Sequence, residues 1–133
     1  MNISILHITF FILFLAQGFS LSYAASKEIP LNGDIVWKGT EVGLEPTISQ
    51  SIRKLIKDEK CLDRKELISF LNDENRWVVA HYILSCRYAH PFSITAGQWN
   101  GLSISIDAKG NIDIPDQRET LYKFWIERSD VQK

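Results

Sequence analysis

Few residues in this sequence are of types that do covalent or acid–base chemistry: two cysteines, three histidines and a scatter of serines. A hydrolytic nucleophile would be marked by Ser in a Gly-x-Ser-x-Gly elbow, or by a reactive Cys with a His partner, and neither pattern is present. Ser49, Ser51, Ser69 and Ser85 fall on expected helices and Ser103 and Ser105 on an expected strand. There the ordinary role of a hydroxyl is solvation or a bond back to the chain. His81 lies inside the apolar run from Trp77 to Leu84, the setting of a core or cap histidine with its hydrogen bonds satisfied. His90 precedes Pro91, which disfavours further helix, so its imidazole is expected at a helix end, facing the last carbonyls. On one continuous helix the two imidazoles would lie on opposite sides, so a shared metal would require a bend. Between Asp107 and Asp113, Lys109 stands where a calcium loop needs an oxygen and Gly110 is out of place, which excludes calcium. The pairs Glu41 with Glu45 and Asp113 with Asp116 are ordinary surface spacing. No metal and no cofactor is expected.

Chemistry of recognition has a stronger signal, because the chain carries four tryptophans. Trp77 and Trp125 fit apolar helix stripes and are expected in the core. Trp99 lies in the small-residue stretch Ala96-Gly97-Gln98-Trp99-Asn100-Gly101, and Trp37 lies between polar neighbours near the start of the domain. Exposed tryptophans are frequent anchors of protein interfaces, so Trp99, Asn100 and Trp37 are the candidate binding residues.

The compartment follows from the leader. Ile3 to Ala16 is almost unbroken apolar sequence, too short to cross a bilayer, and Ser22-Tyr23-Ala24 matches the small-x-small pattern of a signal peptidase site. Residues 1–24 therefore read as a secretory signal peptide, despite the lack of a Lys or Arg before the apolar run. The expected address is periplasmic or secreted. All charged residues follow position 24, with the signs interspersed and a formal net charge of −1, which offers no basic footprint for nucleic acid or anionic lipid. In an oxidising compartment Cys61 and Cys86 are expected to form a disulfide, since they lack the close spacing of a zinc site.

Positioning these residues requires a single domain over residues 34–133, after a flexible lead-in over 25–33. Ile35-Val36-Trp37-Lys38 has strand character. Glu45-Pro46-Thr47 is expected to open a helix, with Thr47 and Gln50 at capping-box spacing and an end near Lys60. Asp63 and Glu66 repeat that spacing ahead of a second helix, which Asn72 and Asp73 break. A third helix from about Glu74 to Tyr88 is apolar on nearly all sides and is expected at the centre of the core. If the second and third helices fold back on each other, Cys61 and Cys86 lie at the same open end, offset by about 3 Å at the helical rise. Alternation of Leu102, Ile104 and Ile106 with serines, then Ile112 and Ile114, predicts a β-hairpin turning at residues 107–111. A last helix opens at Pro115-Asp116 and buries Leu121, Phe124 and Trp125. The expected fold class is α+β: about four helices with a small antiparallel hairpin or three-stranded sheet.

The stretch from Glu66 to Leu84, with a short apolar helix, Asp73 at the turn and a second helix carrying apolar-x-Ala spacing, resembles one unit of the HEAT-type helical repeats. The resemblance implies a helical hairpin but no solenoid, which needs at least about three repeats. The segments Arg76-Trp77-Val78-Val79-Ala80-His81, Trp99-Asn100-Gly101-Leu102 and Gln117-Arg118 also resemble a group of small exported bacterial proteins. That likeness implies a bacterial source and a periplasmic address, and transfers no site residue. The functional expectation is an exported, non-catalytic domain that binds another protein, of the kind that inhibits or confers immunity against a periplasmic enzyme. The alternative is a small hydrolase using His90 with a carboxylate brought near by folding.

Overall fold

The computed structural model describes residues 27–40, 43–89 and 98–129. Strands β1 (Ile35–Thr40) and β2 (Gly43–Ile48) form an antiparallel ribbon in which Trp37 stands opposite Pro46. Helices α1 (Gln50–Lys57), α2 (Arg64–Phe70) and α3 (Trp77–Tyr88) follow. Then β3 (Gln98–Trp99) pairs with β4 (Leu102–Ser103), β5 (Ser105–Ile106) pairs with β6 (Ile112–Asp113), and α4 (Arg118–Ser129) closes the order. The domain is α+β, with four helices and small antiparallel ladders among the described residues.

Helix α3 is the centre of the molecule. Every residue from Trp77 to Ser85 is buried, as is Arg87, so the helix has no solvent face to speak of. Its first turn lacks a side-chain cap of its own, and the orphan N–H groups there are met from outside. The Asn32 amide accepts from Val78 N at 2.9 Å and donates to the Glu74 carbonyl at 3.0 Å. Arg76 adds a bond to the Ile29 carbonyl at 3.1 Å, and the Ile29 side chain is buried. Ile29 and Asn32, within the segment expected as a lead-in, are thus tied to the start of the central helix. At the other end, Arg87 is buried without a carboxylate and donates to the carbonyls of Leu55, Asp58 and Leu62. A cation there complements the negative end of α1 and holds the α1–α2 connection onto α3.

Helix α2 starts as its sequence predicts, in a reciprocal capping box. Asp63 accepts from Glu66 N and Glu66 accepts from Asp63 N, both at 2.8 Å. These bonds, with the nearby Lys27 ammonium, hold the Glu66 carboxyl below its ordinary range. The start of α1 is a correction. Residues 43–48 are strand, not helix, and the cap is Ser49 rather than Thr47. Leu44, Pro46 and Ile48 alternate inward along β2, a period of two that prevails over the Thr47/Gln50 capping spacing.

The two cysteines are free thiols, Cys61 exposed and Cys86 half-buried, in place of the expected disulfide. One step around α3 explains the difference. Arg87, not Cys86, is the residue that donates to the α1–α2 connection next to Cys61, while Cys86 lies beside Tyr82. Burial is the main reason the Cys86 thiol is pushed up and the Tyr82 phenol is pushed up to about 12.

Candidate functional site

The turn between β3 and β4 consists of Asn100 and Gly101, both at positive φ, 45° and 88°. This is the two-residue geometry that matches strand twist, and it drives Trp99 inward. A Cβ at position 101 would lie 3.1 Å from the Phe124 ring, a tight contact that adds to the preference for glycine set by φ. Trp99 is fully buried, its ring edge-on to Trp37 at 5.5 Å, to His81 at 4.6 Å and tilted against Tyr82 at 5.2 Å. The expectation that Trp99 meets a partner from an open loop is corrected: Trp99 is core. Asn100 shapes the turn and is half-buried.

His81 stands beside it, with no exposure at all. The Trp125 indole N–H donates to His81 Nδ1 at 2.9 Å, and an indole nitrogen can only donate. Nδ1 therefore carries no proton, and the neutral ring donates from Nε2 to the Trp99 carbonyl at 3.0 Å. Desolvation lowers this imidazole to about 4, well into the neutral form at physiological pH. Both nitrogens are committed to holding α3, β3 and α4 together, so His81 is the satisfied core histidine that its apolar setting predicts.

The remaining polar candidates serve the fold. The Asp107 carboxylate accepts from the amides of Lys109 and Asn111 and from the Asn111 side chain, each at 2.8 Å, which closes the β5–β6 turn and lowers the carboxyl. Asp116 pairs with Arg118 at 2.7 Å, and its carboxyl is lowered by the hydrogen bonds it accepts. Ser49 caps α1, and Ser69 bonds back to the Glu66 carbonyl. His90 and the stretch 90–97 lie outside the described residues, as do Glu41 and the leader. Among the described residues no three His, Cys, Asp or Glu side chains converge.

Trp37 keeps an open side. It is half-buried, backed by Trp99, and with Val36, Trp77, Val78, Ile112 and Ile114 it lines a shallow groove of about 510 Å³. Ile35, Val36 and Trp37 are consecutive, yet all three border the groove. Neighbouring residues of a strand point to opposite faces, so a groove touching all three runs along the edge of β1 rather than across its face. Val36 is 53% exposed although it is apolar and β-branched. β1 pairs only with β2 and β6 only with β5 among the described strands, so both groove-lining strands have one unpaired edge.

Comparison with known proteins settles no kinship. The chain matches no family model, no curated protein and no solved structure.

Reading residues singly missed Val36, Ile112 and Ile114 as groove residues. The available signal was alternation: if Ile35 faces the core, Val36 faces out, and an apolar residue there needs a reason. Asn100-Gly101 between Trp99 and Leu102 was likewise a hairpin signal in its own right.

Proposed function

We propose that this is an exported, non-catalytic domain that binds another protein through the groove between β1 and β6, in the manner of an inhibitor or immunity partner of a periplasmic enzyme. The observation that carries the reading is the apolar strip formed by exposed Val36 with half-buried Trp37, Ile112 and Ile114, backed by buried Trp99. Trp37 rests edge-on against Trp99, which the His81 bond fixes in turn, so an aromatic anchor is held ready at little entropic cost. Export rests on the apolar leader and on Ser22-Tyr23-Ala24. No helix among the described residues is long and apolar enough to cross a membrane.

Two experiments test the reading. The intact mass of the isolated protein should begin near Ala25, and a mass that retains the leader contradicts export. The partner recovered by the wild-type domain from the host's extracytoplasmic fraction should be lost with Val36→Asp and with Ile112→Asp, while Glu119→Lys on the far helix retains it. Recovery by all three variants contradicts the groove as the contact face.

A further inference from the structure

Protonation of His81 has a defined consequence, because its tautomer is known. The proton already on Nε2 serves the Trp99 carbonyl, so an added proton must go to Nδ1, the atom that accepts from Trp125. Two N–H groups would then meet at a 2.9 Å contact in a site without water access. The conflict falls on α4 alone, since the bond from His81 to β3 survives.

We propose that the Trp125–His81–Trp99 relay is an acid-operated latch, which holds α4 on the core at neutral pH and releases it when His81 takes a second proton. Among the described residues the other ties of α4 include the Arg64 guanidinium over the Trp125 ring at 5.9 Å and, exposed at its first turn, Arg118 to the Asn72 carbonyl at 3.3 Å and the preceding Gln117 to both backbone groups of Ser103 at 2.8 Å. The released helix pivots there. It uncovers Leu121 and Trp125 together with the face of α3 around His81, an apolar surface hidden at neutral pH.

Among the described residues, the groups packed around His81 do not supply this response. The β3–β4 segment bears no titratable side chain. On α3 the neighbours are Tyr82 and Cys86, both raised and uncharged over the relevant range, while Arg87 points to the α1–α2 connection. On α2 the Arg64 guanidinium lies over the Trp125 ring at 5.9 Å. Glu119, Lys123, Glu127 and Arg128 of α4 face solvent. The lowered basicity of His81 sets the threshold between its ordinary 6.5 and about 4.

Hydrogen exchange of the isolated protein, followed by segment from pH 7 to pH 4 and corrected for intrinsic rates, tests the latch. Residues 118–129 should be less protected than residues 64–70 and 77–88 at every pH, and should lose protection at least tenfold between pH 6.5 and pH 4. Trp125→Phe retains the aromatic packing but removes both the bond and the clashing donor, so residues 118–129 should be less protected than in the wild type at pH 7 and should change less between pH 7 and pH 4. Equal protection of all helices, retention by α4 throughout, or a wild-type pH dependence in the Phe variant overturns the proposal. If the variant does not fold, the wild-type segment order and the nitrogen shifts of His81, expected as the Nε2–H tautomer at pH 7, decide alone.

Discussion

Trp99 and Trp37 touch each other, yet they belong to different regions. Trp99 is fully buried, with His81 packed edge-on and Tyr82 tilted against it, and the imidazole, itself edge-on to Trp125, is bonded at both nitrogens. Around Trp37 the same apolar character continues to the surface, and the strand beside it has a free edge. The difference teaches that an aromatic's role depends on what surrounds its backbone. A two-residue turn folds Trp99 back under α4, whereas the extended ribbon β1–β2 carries Trp37 outward.

Substitutions can break this comparison. Trp99→Ala should destabilise the fold by roughly 3–5 kcal/mol, the range for emptying a buried aromatic site, read from the denaturant midpoint. An unchanged midpoint would return Trp99 to the surface. The pH dependence should be nearly as large. The folded-state pKa of His81, about 4, lies below its ordinary 6.5, so above pH 6.5 both folded and unfolded chains are neutral there and nothing is lost. Between the two values only the unfolded chain takes the proton, and stability should fall with falling pH by roughly 3 kcal/mol at pH 4. A flat profile of stability from pH 7 to pH 4 would contradict the buried neutral imidazole.

Gly101→Ala acts at the turn between the two regions. It should cost about 1–2 kcal/mol for a left-handed alanine, with the Phe124 contact added. The smallest effect belongs to Val36→Asp, expected to leave thermal stability within about 0.5 kcal/mol, as for an exposed position with no buried partner. A large loss of stability at Val36 would show that the groove is part of the core.

Much of this architecture was legible in the residues. The Asp63/Glu66 spacing, the all-apolar α3 and the Leu121/Trp125 stripe each depend on local chemistry or a single periodicity, and each is observed where its pattern places it. What escaped depends on competition or on distance. The Thr47/Gln50 spacing lost to the alternation of Leu44, Pro46 and Ile48, and Asn32 reaches α3 across 46 residues, which no local pattern encodes. Of the candidate site, Trp37 was legible. Its neighbours Ile112 and Ile114 were read as strand residues, but only the tertiary fold brings them beside β1.

The groove as a working face is tested most directly by photo-crosslinking from single positions in the living host. A photoreactive residue at Val36 or at Ile112 should yield the same discrete adduct with one partner, and one at Glu119 should yield none. Identical adducts from all three positions, or none from the two in the groove, would contradict the account.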